Sequence, residues 1–155
     1  MSKRSAVVVG IDPGMLMGWA MFSDGRLREF GPWAHNDEPY DLRFRQTFER
    51  VTRLLSRCMG KGVPVLMGIE GASHYSPGKK SAESLAGMRA SALAAAGRLG
   101  IGYVVVAPST IKKSVTGNGH AKKTQVIAAI RQRYRLDEID DNEADAIGIG
   151  IAVHK

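Results

Sequence analysis

The run Ala6-Val7-Val8-Val9-Gly10-Ile11 ends in Asp12-Pro13-Gly14. Six residues this rich in β-branched side chains predict a strand covered on both faces. An aspartate stands where that strand reaches the surface, followed by a Pro-Gly turn. A charge beside a buried strand is costly unless something compensates it, most simply a metal ion or a basic ligand. Aspartate also opens turns. On this stretch alone both readings stand.

The rest of the chain extends that strand into a sheet. Residues 18–22 predict a second strand, and Ser23-Asp24-Gly25 a hairpin turn, Asp-Gly being the strong signal. A third, edge-like strand follows over 26–30, giving an antiparallel meander, and 32–39 is expected to be irregular. Apolar Leu42, Phe44, Phe48, Val51, Leu54 and Leu55 make 40–58 an amphipathic helix, with its arginines mostly toward solvent. Residues 63–69 predict a fourth buried strand, and it too ends on a carboxylate, Glu70. After a loop with Lys79 and Lys80 comes a helix over 81–99 built from small residues, a face that admits either the sheet or a second subunit. A fifth strand falls at 103–106 and a short helix could begin at Pro108. Two longer helices close the chain, near 121–135 and from about 141. Summarised as β-β-β-α-β-α-β-α-α, this is an α/β domain with a five-stranded mixed sheet and helices on both faces.

Composition narrows the partner. A chain of 155 residues and 16.7 kDa has the size of one domain, 1–155, and a formal charge of +7 points to a polyanion, most commonly nucleic acid. Cys58 is the single cysteine, which excludes an intrachain disulfide and a cysteine zinc cluster. No long apolar stretch suggests a signal peptide or a membrane span, so the expected location is the cytoplasm.

The chemistry-bearing residues converge. Asp12 and Glu70 end two buried strands, the end at which open α/β sheets bind ligands. Asp140 and Asp141 open the last helix, where capping and the helix dipole account for them. Asp145 lies a turn further in and shares a face with Gly148, Ile149 and Ala152, which carries no other charge. Oxygen donors from Asp12, Glu70 and Asp145 suit Mg²⁺ or Mn²⁺, and two such ions can clamp the attacking and leaving oxygens of a phosphodiester. Lys112, Lys113, Lys122 and Lys123 flank the loop Thr116-Gly117-Asn118-Gly119-His120, whose amides could also approach a phosphate. Solubilising lysines at helix ends are the plainer account of some of them. His74 and Tyr75 follow Glu70 closely enough for an aromatic to stack on a base, and His120 reads as exposed.

Four blocks in this order resemble a RuvC-type Holliday junction resolvase of the RNase H-like, retroviral-integrase superfamily. They are Gly10-Ile11-Asp12-Pro13-Gly14, Ile69-Glu70, the run from Ile111 to Gly119 with Lys123, and Glu143-Ala144-Asp145-Ala146. The resemblance implies a homodimeric endonuclease that nicks opposed strands of a four-way DNA junction with Mg²⁺, Mn²⁺ substituting. It makes Asp12, Glu70 and Asp145 metal ligands. The family's fourth, usually acidic, position falls on Asn142, whose amide oxygen can ligate but is neutral and no base. Glu143 or Asp141 could substitute for it. Lys112 and Lys123 match DNA-contacting lysines, with Lys113, Lys79 and Lys80 as further candidates. Tyr75 or His74 would supply a base-stacking aromatic, although Ser73 occupies the nearest equivalent place. Helix 81–99 corresponds to the dimer-forming region. The implied reaction is hydrolysis: Asp12 and Asp145 flank the attacking water, Asp12 and Glu70 the leaving 3′ oxygen. Lys123 would offset charge on the phosphorane while Lys112 grips the backbone.

Three rivals carry different expectations. An actin-like nucleotide phosphotransferase shares a Gly-Ile-Asp strand but needs two such domains, more than this length holds. A junction-binding protein with impaired cleavage has only Asn142 in its favour. A nuclease of the same fold acting on other branched DNA or structured RNA fits the sequence equally, since fold does not fix substrate. The 30–60 region and Asn142 lean toward a phage or prophage version.

Overall fold

Alternation along the first strand decides the layering. In β1 (Val7–Asp12), Val7, Val9 and Ile11 pack into one core, while Val8 packs into a second on the opposite face, the side that Gly10 and Asp12 share by alternation. The structure, a computed structural model, describes residues 6–35, 39–60, 62–71 and 79–154, with nothing described of the side chains of 79–81. The other strands are β2 (Leu16–Ser23), β3 (Arg26–Ala34), β4 (Val65–Glu70) and β5 (Gly102–Val106). They form one sheet in the order β3-β2-β1-β4-β5. β1, β2 and β3 are antiparallel neighbours, and β4 and β5 extend the sheet in parallel from β1. This is the expected mixed sheet.

The β2–β3 turn is Asp24-Gly25, both with positive φ (53° and 71°), the backbone that a tight two-residue hairpin demands. β3 runs on to Ala34, beyond the expected end at residue 30. Pro32 does not stop it because β3 is the sheet's outer strand, where a missing N–H costs no ladder bond.

Helices cover both faces, as expected. α1 (Tyr40–Cys58) and α2 (Lys79–Arg98) lie on one side, with Val51, Leu54, Leu55, Ala92, Ala95 and Ala96 buried against Val9, Ile11, Met67 and Ile69. The other side carries α3 (Pro108–Thr116), α4 (Lys123–Tyr134) and α5 (Asp141–His154). Here Val126, Ile130, Ala144 and Ile147 pack with Val8, Ala20 and Phe22. Three helices therefore close the chain where the summary order had two. α3 is short but has Pro108 at its first turn and Gly117 in the left-handed region at its end, a complete start and stop.

α5 is seated unusually close to the sheet. A Cβ on Gly18 would fall 1.8 Å from the Asn142 carbonyl oxygen, and one on Gly10 would fall 2.3 Å from that of Ala146. Only glycine leaves room there, so the backbone of the helix rests directly on β1 and β2. That contact fixes the N-terminal turn of α5 beside Asp12, which pairs with Gly18.

Candidate active site

The expected carboxylates arrive from three elements. Asp12 ends β1, Glu70 ends the neighbouring β4, and Asp145 sits in the second turn of α5. Each is partly buried, and burial is the first cause that raises each acid's pKa. Asp12 is pushed up to about 8, by burial and then by the charges of Asp145 and Glu70. Glu70 is raised by burial and then by Asp145. Asp145 is raised by burial, opposed by its hydrogen bond and ion pair with Lys123. Asp12 and Glu70 thus both feel the charge of Asp145, and Asp145 feels those of Asp141 and Asp140.

Lys123, the first residue of α4, is the cation that answers them. Its Nζ donates to Asp145 Oδ2 at 2.9 Å and lies 3.9 Å from Asp141. Burial would lower its pKa, but the bond to Asp145 and the charges of Asp145, Asp141 and Asp12 raise it on balance. Lys112 is close enough to lower the pKa of Glu70. Lys113, one position on, is exposed and is not among the charges acting on these acids. Lys79 and Lys80 open α2, but their side chains lie outside the described residues, as do Tyr75 and His74 altogether.

Asn142 behaves as a donor. With its NH₂ turned to them, the amide lies 3.2 Å from both Asp12 Oδ2 and the Leu16 carbonyl. Glu143 does not take the fourth carboxylate's place. It closes a reciprocal cap in which Glu143 N–H donates to Asp140 Oδ1 at 2.7 Å and Asp140 N–H donates to Glu143 Oε1 at 3.1 Å.

The loop after α3 is held together largely by its own hydrogen bonds. Four of its amides already have partners nearby: Gly117 N–H donates to the Lys113 carbonyl, Asn118 N–H to Thr116 Oγ1, His120 N–H to Asn118 Oδ1 and Ala121 N–H to the Asn118 carbonyl. It serves to turn the chain so that Lys112 and Lys123 face the same carboxylates. His120 is exposed, as read. One neighbour of the site carries no signal in the sequence. Arg89 of α2 donates to the Glu70 backbone carbonyl and holds the end of β4, a role hidden in a helix otherwise read as small-residue packing.

Hard oxygen donors on adjacent strand ends and on α5, with raised acid pKa values and Lys123 and Lys112 beside them, form a set of the chemistry that suits a divalent cation. Among the described residues no three acidic, imidazole or thiol groups share one coordination shell. Asp145 is turned to Lys123 and Asp12 to Asn142.

A carboxylate cluster at the ends of parallel strands, flanked by lysines, on a five-stranded mixed sheet defines a metal-dependent nuclease class. The profile of the family described as crossover junction endodeoxyribonuclease RuvC matches residues 8–154, and the chain belongs to that family. The RuvC of Porphyromonas gingivalis is 32% identical, over 99% of this chain and 82% of its own length. The Thermus thermophilus RuvC structure superposes with a TM-score of 0.77 at 25% identity, covering 94% of this chain and 92% of that one. T. thermophilus RuvC in complex with a Holliday junction substrate gives a TM-score of 0.79 at 22% identity, covering 96% and 92%, a likeness of fold.

Proposed function

We propose that this chain nicks two opposed strands of a four-way DNA junction by phosphodiester hydrolysis, as a homodimer of single nuclease domains in the cytoplasm, with Mg²⁺ as the working ion and Mn²⁺ able to replace it. The observation that carries the reading is the meeting of Asp12, Glu70, Asp145 and Lys123 at one end of a sheet whose family is that of crossover junction endodeoxyribonucleases. A relative solved with a Holliday junction substrate supports the choice of DNA.

Asp12, Glu70 and Asp145 would hold the divalent ions, Asn142 fixing the rotamer of Asp12. When bound, such ions supply a nucleophile from water at neutral pH and stabilise the leaving 3′ oxygen. Lys123, already held beside Asp145, offsets charge that develops on the phosphoryl oxygens. Lys112 grips the backbone phosphate and helps ionise Glu70. Lys113, with Lys79 and Lys80, would extend the basic surface, and His74 or Tyr75 would stack on an unpaired base.

A second copy fits the outer side of α2. Ala92, Ala95 and Ala96 pack inward, whereas Ala86, Ala90 and Ala94 form an exposed stripe beside Leu85, which is 44% exposed. The small-residue helix thus packs one face on the core and leaves an exposed small-residue face that a partner would cover.

The test is incubation with a synthetic immobile four-way junction and a matched linear duplex, with Mg²⁺, Mn²⁺ or EDTA. Paired symmetric nicks in the junction, lost in EDTA and in Asp12→Asn, are expected. Junction binding without nicks under either metal would replace this reading with a non-cutting junction binder. Equal cutting of linear or RNA substrates would replace it with a general nuclease.

A further inference from the structure

A second feature lies on the opposite face of the sheet from Asp12. β2, β3 and α1 enclose an open groove of about 510 Å³, lined by Trp19, Trp33, Glu29 and three arginines, Arg50, Arg53 and Arg57. Trp19 and Trp33 are stacked, with ring centroids 5.3 Å apart and planes 26° from parallel. The arginines recur at positions 50, 53 and 57, the spacing that puts side chains on one face of a helix. At about 1.5 Å of rise per residue they span roughly 10 Å.

The charge is not balanced locally. Arg57 donates to Glu29 Oε2 at 2.8 Å, and Arg50 donates to the Ala34 carbonyl at 2.9 Å and approaches His35 Nδ1 at 3.3 Å. Arg53 has no hydrogen bond or ion pair among the described residues, although it lines the groove and is exposed. One carboxylate therefore faces three guanidinium groups over two flat indoles. Guanidinium groups bind phosphate in planar, bidentate fashion, and indoles offer stacking faces to bases of any sequence.

The groove also starts at the right end of the sheet. Trp19 pairs with Ile11, the residue before Asp12, and Arg50 bonds to Ala34, which pairs with Leu16 at the start of β2. A strand that rounds the β2–β3 side of the sheet from the carboxylates enters it from the Arg50 end.

We propose that this Trp–Arg groove binds an unpaired DNA strand, a base lying against the indole pair and the neighbouring phosphates on Arg53 and Arg50. The proposal concerns binding alone and does not depend on cleavage at the carboxylates. A phosphate ion, a mononucleotide or an acidic peptide could meet part of the same chemistry. Paired aromatic faces and a roughly 10 Å run of cations favour a strand over any of these.

The chain has two tryptophans, Trp19 and Trp33, and both line the groove, so its tryptophan emission reports on this place alone. Emission is followed while wild-type protein in EDTA is titrated with a short oligothymidylate, dTMP, inorganic phosphate or polyglutamate. Saturable quenching by the oligothymidylate is expected, at concentrations at least tenfold below those needed for the other three. Arg53→Glu should weaken it at least tenfold while leaving the emission and melting temperature of the free protein unchanged. Arg53→Lys should lose less. No quenching, quenching indifferent to Arg53→Glu, or equal quenching by phosphate, dTMP or polyglutamate would overturn the proposal. Because no metal is present and no strand is cut, the result stands apart from whether junctions are resolved.

Discussion

With its NH₂ turned toward them, the side-chain amide of Asn142 lies 3.2 Å from both Asp12 Oδ2 and the Leu16 carbonyl oxygen, within donating distance of each. A residue that looked from the sequence like a weakened metal ligand is thus a brace on the aspartate before any cation is bound. Replacing it by the acid of similar shape removes the donor and adds a further acid to a site that already holds Asp12 well above its ordinary pKa.

Asn142→Asp should therefore destabilise the metal-free protein by roughly 2 kcal/mol, a fall of about 4–8 °C in melting temperature. Added Mg²⁺ should restore the loss and more, because a fourth carboxylate binds a cation better than an amide. Thermal melts in EDTA and in Mg²⁺ check both halves. Equal melting of the two proteins in EDTA would show that the brace does not hold Asp12.

The pH response follows from Asp12. Its pKa is raised from 3.8 to about 8 in the folded chain, so between these values the folded state holds a proton that the unfolded state has lost. Stability of the metal-free protein should fall as pH rises from about 4 to about 8, where unfolding releases that proton. Asp12→Asn removes the ionisation, so its melting temperature should exceed that of wild type at pH 8 and differ little at pH 4.5. A flat difference across this range would mean that Asp12 is not held protonated.

The sheet and most of the site were legible because strands announce themselves by β-branched runs and the site sits at their ends. Val7–Ile11 and Val65–Ile69 could hardly be anything else, and each leads into its carboxylate. Asp145 was legible as the one charge on an apolar helix face. Proximity across the fold was not. Nothing in the sequence near Arg89 links it to Glu70, and Trp19 and Trp33 stack only because a register shift between Met21 and Phe22 resets the β2–β3 pairing beyond the Asp24-Gly25 turn. Pro32 read as a strand end because the sequence does not say which strand lies at the edge. Glu143 read as a spare ligand because a capping box and a metal site both use acids at the start of a helix.

Lys112, Lys113 and Lys123 looked alike in sequence and differ in place. Lys123 bonds Asp145 and Lys112 acts on Glu70, whereas Lys113 points to solvent. Lys123→Met should lower junction cleavage by roughly 100-fold, in keeping with loss of one group that stabilises transition-state charge. Lys113→Met should leave the single-turnover rate unchanged. A comparable loss in both would assign the lysines to general electrostatic attraction.

The exposed alanines of α2 offer a direct test of assembly. Ala90→Arg places a long cation in the middle of the Ala86, Ala90, Ala94 stripe without touching the buried Ala92, Ala95 and Ala96. The variant should fold, with a circular dichroism melt near that of wild type, and run as a monomer in light scattering where wild type runs as a dimer. Persistence of the dimer would move the interface elsewhere, with the exposed Tyr103, Val104 and Val105 of the β5 edge as the next surface to alter.

Close seating of α5 makes a last, quantitative expectation. At Gly18 a methyl group would meet the Asn142 carbonyl oxygen at 1.8 Å, and that atom is helix backbone which cannot rotate away. Gly18→Ala should cost about 3 kcal/mol or more, at the top of the range for overpacking, and should displace the turn that carries Asn142 and Asp145. Gly97, late in α2, has nothing within 4 Å of the same added atom and no positive φ. Gly97→Ala should stabilise the protein by roughly 0.5–1 kcal/mol through helix propensity. Urea melts give both numbers, and junction cleavage separates them further. Gly18→Ala should lose activity even at temperatures where it remains folded, because α5 no longer presents Asp145 to Lys123 beside Asp12. If the two alanine variants instead had equal stability, contact between the helix and β2 would be looser than described and Asn142 would be too far from Asp12 to brace it.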